Sequence, residues 1–505
     1  EERLKPIHDL VAGKCLELAK ENGGIYNKAG QFVASLQGGA GDKGVPRVYV
    51  ETLSELTDNA PRQPFEAMRP VLVEEFGSRA VEDLFQDIQP VPLAAASLAQ
   101  VHRATTKDKQ EVAVKIIYPW LRRDLASDFA VIRMMGDGIQ PGGFDLKWIV
   151  RDFEQSISSE VDFNREAANG ETTRGHLSHR SDVTIPKIFP GASSSSVLTT
   201  EFVDDMIRVS DAEAIRRAHL DPQECGRLIC DVFSEMLLCH GHVHGDPHAG
   251  NVYLRVRECS HRGCLPGVVI LDHGLYHDIS DDTRRDLCRL ILECASPMPS
   301  RSEVKRLASR FAGPLYKFFP LIISPWFIFG SPLHKNDLQA AKQRRLPDSV
   351  AVKDVAECLV SLHGGEEAVN GEGGGNMLGV LHSMGYTRGM LNLLGFNELS
   401  RLQSMVYYAR IGLMPPAQRK AMLAGGDVGV GILDKVNLRV DWVRVSAMSP
   451  VITLLLFLGP FALFVFEWTL YCSTLAVSVV MACWRLWGLN PLAGAPNRVE
   501  PISDS

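Results

Sequence analysis

The sequence lacks the marks of several common function classes. Basic residues are in no excess, 53 Lys and Arg against 60 Asp and Glu over 505 residues. A formal net charge of −7 gives no global footprint for nucleic acid. Disulfide-scaffold spacing is also missing. The eleven cysteines lie scattered between Cys15 and Cys483, so a reducing compartment is the simpler expectation. Cys259-Ser-His-Arg-Gly-Cys264 has no second ligand pair at zinc-finger spacing and reads as a polar loop between two strands. The run Gly38-Gly-Ala-Gly-Asp-Lys-Gly44 lacks both the preceding strand and the Lys-Ser/Thr ending of a P-loop, and reads as a mobile loop. The chain begins at Glu1, not methionine, which leaves open a targeting segment ahead of it.

What is present suits one large bilobal unit or two to three domains, with 45% hydrophobic residues. Apolar spacing at Leu4, Ile7, Leu10, Val11, Leu16, Leu18 and Ala19 predicts a helix that stops at Asn22-Gly23-Gly24. A second helix starts near Ile25 and carries Lys28-Ala-Gly-Gln31; two more cover Tyr49–Asp58 and Phe65–Phe76. Leu93–Ala104 and Val112–Ile117 read as two strands joined by a turn, with Lys115 on the second. Phe144 to about Ala168 reads as a helix on which Asp162 and Glu166 share a face, so a cation between them is expected. Val183–Phe189 and Val197–Val203 read as a hairpin, Asp204-Asp205 as a break, and Pro222–Gly241 and Asp281–Cys294 as helices.

Three further stretches stand out. Lys317–Gly330 is aromatic but broken by Pro320 and Pro325, too short for a membrane span and read as core. Gly364–Asn376, rich in glycine and glutamate, reads as a disordered insertion, and two helices are expected after it. Val451–Trp484 is nearly continuous apolar sequence with one charge, Glu467. As a helix it would reach roughly 50 Å, enough for a tilted or Gly459-Pro460-kinked span. Trp468, Trp484 and Trp487 suit its interfaces, while Arg439, Arg444, Arg485 and Arg498 are too balanced to orient it.

The chemistry concentrates in His240–Asn251 and Val269–Gly274. Asp246 lies five residues before Asn251, and Asp272 follows an apolar run. This is the order of a kinase catalytic loop and its magnesium aspartate: carboxylate and amide oxygens around Mg²⁺, another carboxylate facing the nucleophile. Each piece alone is a common turn or strand end; the spacing, with Val112-Ala-Val-Lys115 upstream, is what points to phosphoryl transfer.

These motifs resemble the UbiB family, the aarF-domain-containing atypical kinases, from about residue 20 to about residue 290. The resemblance rests on Lys28-Ala-Gly-Gln31, Ala94-Ala-Ala-Ser97, Glu160-Val-Asp162 and His244-Gly-Asp-Pro-His-Ala-Gly-Asn251. It implies an α+β, bilobal protein-kinase-like fold with a helical N-terminal extension over 1–85. An N-lobe over 86–205 and a C-lobe over 206–440 follow, then a membrane-anchoring segment over 441–490 and a tail over 491–505. ATP or ADP with Mg²⁺ is the implied cofactor pair. Lys115 would hold phosphates against Glu166, Asp246 would take the catalytic-loop place, and Asn251 and Asp272 would bind the metal. Ala94, Ala95, Ala96, Ser97, Glu201 and Val203 would contact the nucleotide. Lys28 and Gln31 would lie over the active site and meet Glu160 and Asp162.

Two departures from ordinary protein kinases bear on the substrate. Gly245 stands in place of the catalytic-loop arginine, and Gly274 to Asp281 leaves no room for a long activation segment. Leu271-Asp-His-Gly-Leu-Tyr276 departs from Asp-Phe-Gly and is similar to a mitochondrial branch outside core ubiquinone biosynthesis; His273 replaces a packing phenylalanine, which leaves control of the inactive state in question. The resemblance thus implies an ATPase or small-molecule kinase serving lipid or quinone metabolism at a mitochondrial inner membrane, with a plastid or other organellar membrane as the alternative. A membrane lipid or lipid-like small molecule and membrane-associated proteins are the expected partners, and nucleic acid is not. A nucleotide-binding pseudokinase scaffold is the competing reading; a true Ser/Thr protein kinase is disfavoured by the missing segment.

Overall fold

The computed structural model describes residues 5–35, 47–56, 62–138, 160–323 and 377–425 apart from 54, 261–262 and 297–298, together with 153–154, 157–158, 358 and 362. Chain contacts divide the protein into Glu1–Val428 and Gly429–Ser505. The second unit, with Val451–Trp484, lies outside the described residues, as do Gly38–Gly44 and Gly364–Asn376.

Three helices open the chain: α1 (Lys5–Asn22), α2 (Gly24–Ser35) and α3 (Arg47–Leu53). The α1–α2 corner turns on Gly23 and Gly24, both at positive φ, where a β-carbon would be strained. The third helix starts earlier and ends sooner than the pattern over 49–58 suggests. Next come α4 (Phe65–Phe76) and α5 (Ser78–Leu84), then the strands β1 (Phe85–Ile88), β2 (Ala94–Ala95), β3 (Ala99–Thr106) and β4 (Glu111–Ile117). In β4, Val112, Val114 and Ile116 are fully buried while Lys115 lies on the opposite face. That alternation packs one side of the sheet on Met68, Val71 and Leu72 of α4 and frees the lysine from the core. Each such buried side chain contributes roughly 1.5–3 kcal/mol.

Helix α6 (Pro119–Gly138) was not legible as a helix in the pattern above, although Leu121, Leu125, Phe129 and Ile132 repeat at helical spacing. The predicted helix through Ala168 is corrected as well. Asp162 has extended backbone and its carboxylate accepts from the Asn164 amide, so it is the N-cap of α7 (Phe163–His176), not a mid-helix residue. The chain then forms β5 (Val183–Thr184), β6 (Val197–Glu201) and β7 (Ile207–Arg208).

The expected hairpin is half right. Phe189 and Glu201 amides donate to Thr199 and Lys187 carbonyls, but Val183–Thr184 leaves to join a different sheet. The first sheet runs β1-β3-β4-β6, with β2 on β3.

The second half contains α8 (Ala212–Arg217), α9 (Pro222–Glu235), β8 (His242–His244), β9 (Val252–Ser260), β10 (Gly263–Ile270) and β11 (Tyr276–Asp278). A second sheet has the order β5-β10-β9-β7, and β8 pairs antiparallel with β11. Helix α9 starts on the Asp221 cap with Pro222 in its first turn, widens to a π-turn over Met236–His240 and stops at Gly241. Gly241 sits at φ 71, and a β-carbon there would lie 3.0 Å from the Ile279 carbonyl. This sharp stop delivers β8 directly into the loop that carries Asp246 and Asn251.

Cys259 and Cys264 face each other across β9 and β10 and are disulfide-bonded, a pairing that the expectation of a polar loop between two strands did not include. Seven other cysteines among the described residues are free, six of them buried.

The helices α10 (Asp281–Ala295), α11 (Arg301–Ala312), α12 (Phe319–Ile323), α13 (Met377–Leu393), α14 (Glu398–Leu413) and α15 (Pro416–Leu423) complete the described chain. Phe319 is core, as expected for that aromatic stretch, and 324–330 lie outside the described residues. No helix among the described residues is long and apolar enough to cross a membrane.

Candidate functional site

The site begins with Lys115, which β4 presents on its non-core face. Its Nζ donates to both Glu166 carboxylate oxygens at 2.9 Å and lies 3.4 Å from Asp272 Oδ1. Glu166 is in the first turn of α7, so the Asp162 cap that starts this helix also fixes where Glu166 points. The expectation of one cation between Asp162 and Glu166 is corrected: Glu166 shares Lys115 with Asp272, while Lys28 meets Glu160.

Burial opposes the lysine charge, but Asp272 and Glu166 outweigh it and raise the Lys115 pKa. One ammonium between two carboxylates divides them. Burial and the Asp272 charge push Glu166 up to about 7 despite Lys115. Asp272 is held well below the usual carboxylate range, since Lys115 and Lys28 overcome its desolvation.

Asp272 follows β10 and has φ 56, a left-handed conformation uncommon outside glycine. Its Oδ1 accepts from the Gly274 amide at 3.3 Å, which offsets part of that strain. His273 then turns inward. Its Nδ1 pairs with the Tyr276 hydroxyl at 2.8 Å, and burial pushes its pKa down to about 3, so the ring is neutral. The Asn169 side-chain amide donates to the His273 carbonyl, and a β-carbon at Gly170 would already touch its ring at 3.4 Å. His273 is thus packed beneath α7, about one helical turn from Glu166.

Across the cleft, the catalytic loop is set by His244, which is fully buried. The Asp246 amide donates to His244 Nδ1 at 3.1 Å, leaving Nε2 to donate to the Leu271 carbonyl. The sequence motif contains His244, but its role as the post on which Asp246 hangs comes only from β8 pairing. The Asn251 amide nitrogen donates to the Asp246 carbonyl at 3.1 Å, which closes the loop over five residues.

Among the described residues no three His, Cys, Asp or Glu side chains converge as a metal site. The donor set present is one carboxylate, Asp272, and one amide, Asn251. That set fits Mg²⁺, which takes one or two protein oxygens and completes its shell with phosphates and water. It does not fit a zinc or all-protein cage.

The remaining predicted residues divide. Lys28 reaches Glu160 at 2.9 Å, with both side chains about one-fifth exposed. Asp162 is occupied as a cap, a second consequence of the helix start described above. Gln31 rides one turn beyond Lys28 on α2; its side chain is outside the described residues. In the alanine-rich turn Ala94 and Ala96 are exposed, while Ala95 and Ser97 face inward. Glu201 ends β6 with its carboxylate accepting from the Lys187 amide, and Val203 is buried beyond it.

Comparison with known proteins identifies the family. Residues 55–301 match the ABC1 atypical kinase-like domain. AarF domain-containing protein kinase 1 of Xenopus laevis is 30% identical over 364 residues, 70% of this chain and 68% of that protein. The chain belongs to the ABC1/aarF family of atypical kinases. Its fold is accordingly kinase-like and mixed α and β. The Dictyostelium discoideum "probable serine/threonine-protein kinase abkD" is 36% identical over 291 residues, and this chain covers 41% of its length. A solved Mycobacterium tuberculosis protein, Rv3197 in complex with erythromycin, is 18% identical over 82% of this chain and 98% of that one, with a TM-score of 0.47.

Proposed function

We propose that this ABC1-family chain binds Mg-ATP and transfers its γ-phosphoryl group to a small acceptor or to water, at an organellar membrane and in support of lipid or quinone metabolism. The observation that carries the reading is the Lys115–Glu166–Asp272 cluster facing Asp246 and Asn251. It supplies a cation for phosphates, oxygens for a metal and a carboxylate for the acceptor in one cleft.

In this reading Lys115 holds the α- and β-phosphates and Glu166 holds Lys115. The main chain of Glu201 to Val203 meets the adenine edge, and the alanine-rich turn closes over the phosphates. Mg²⁺ held by Asp272 and Asn251 would neutralise charge developing between the β- and γ-phosphates. Asp246 faces the acceptor hydroxyl. Release of inorganic phosphate from ATP by the full chain, dependent on Mg²⁺ and abolished by Asp246→Asn, is the expected result. A nucleotide-gated scaffold is the second reading, favoured by the Lys28–Glu160 pair that ties α2 to the site. Nucleotide binding without phosphate release decides for it.

Localisation at a mitochondrial inner membrane, through Val451–Trp484, belongs to the same proposal, with a lipid or lipid-like molecule as partner. The full chain should stay in the carbonate-resistant membrane pellet, and a chain lacking 445–490 should leave it. Pelleting that survives the deletion removes this part of the proposal.

A further inference from the structure

Helix α13 is pressed onto the catalytic loop by a contact that only glycine permits. A β-carbon at Gly245 would lie 2.6 Å from Leu275 Cγ and 2.9 Å from His277 Nε2; one at Gly379 would lie 2.2 Å from the same nitrogen. His277, on β11, therefore fills the space between the loop and the helix, and fits because both neighbours lack a side chain.

Gly379, His382 and Tyr386 follow at i, i+3 and i+7, so they share one face of α13. Past the glycine that face carries rings. His382 stacks on Tyr386 with centroids 4.7 Å apart, and Tyr386 meets His248 edge-on at 6.3 Å. His248 Nε2 is in turn 3.7 Å from Asp246 Oδ2. Burial pushes the His382 pKa down while the Asp246 charge opposes it, so the two groups are within electrostatic reach. Both rings are only half-buried, so they are not consumed by the core.

We propose that α13 supplies the acceptor side of this active centre, with His382 and Tyr386 as positioning residues that hold a low-molecular-weight hydroxyl acceptor, or water, beside Asp246. The inference rests on the phosphoryl-transfer reading above and deepens it. The acceptor oxygen forms a bond to the γ-phosphorus, and the bond from that phosphorus to the bridging oxygen breaks with its electron pair leaving on ADP. The acceptor proton passes to the Asp246 carboxylate. A wall of rings beside Asp246 suits a small acceptor. Misplacing an acceptor by about 1 Å is enough to cost roughly 10²-fold in rate.

The test compares full-length wild type with His382→Ala, Tyr386→Ala and Tyr386→Phe, using Mg-ATP hydrolysis for kcat and KM and the thermal shift with Mg-ADP for nucleotide binding. The two alanine variants should lose about tenfold or more in kcat, while KM for ATP and the Mg-ADP shift stay within about twofold. Tyr386→Phe, which keeps the ring, should stay within about threefold of wild type. Alanine variants that hydrolyse ATP at the wild-type rate overturn the inference while leaving the phosphoryl-transfer reading intact. A loss of kcat matched by loss of the Mg-ADP shift also overturns it, because that is the signature of a packing role. A wild type that releases no phosphate overturns both.

Discussion

Asp162 and Glu160 are two residues apart, and the backbone gives their carboxylates different tasks. Glu160 reaches Lys28, while Asp162 caps the helix that carries Glu166. Removing a cap of this type costs about 1 kcal/mol, and asparagine caps nearly as well as aspartate. Asp162→Ala should therefore lower the unfolding free energy by about 1 kcal/mol in urea titrations, with Asp162→Asn nearly neutral. Equal losses in the two variants would mean that the charge, not the cap, is what matters. The four residues Lys115, Asp246, Asn251 and Asp272 were legible because spacing alone places them. The division between Glu160 and Asp162 was not legible, because it depends on a helix start that an apolar pattern does not mark. The same holds for His244 and Tyr386, whose neighbours are set by strand pairing and by a helix more than 130 residues away.

At the scale of elements, the partly buried Lys28–Glu160 ion pair ties α2 to the site. Breaking a fully buried pair costs on the order of 3–5 kcal/mol, and less where water reaches it, as it does here. Lys28→Ala and Glu160→Ala should each destabilise the chain, and the double variant by less than the sum, since both delete one contact. A coupling of about 1 kcal/mol or more is expected; strict additivity would detach α2 from the active site. Burial shifts the Glu160 pKa upward against the pull of Lys28, so this carboxylate depends on its partner to stay ionised. Elements with long periodic patterns, such as α1, α4, α9 and α10, could be read directly. The two-residue strand β5 could not. Its partner β10 lies some 80 residues on, and local pattern assigned it to the nearer β6. The β9–β10 pairing likewise brought Cys259 and Cys264 together, although five residues of separation alone suggested a loop.

Across the whole molecule, one cleft is lined from three sheets and a helix: Lys115 comes from β4 and Glu166 from α7, while Asp246 and Asp272 leave β8 and β10. His277 on short β11 fills the space between Gly245 and Gly379. Under the proposed function, the residues for nucleotide chemistry line this cleft and α13 stands beside the loop that carries Asp246. Under the same proposal, Asp272 and Lys115 form a Mg-nucleotide site. The most direct test is the melting temperature of the full chain with and without Mg-ADP. Any ligand that binds only the folded state stabilises it, by about 2.7 kcal/mol at a hundredfold excess over Kd. Wild type should melt several degrees higher with Mg-ADP, and with ADP plus EDTA that shift should largely vanish. Asp272→Asn should show little shift under either condition; an Asp272→Asn protein stabilised by Mg-ADP as strongly as wild type would contradict the account.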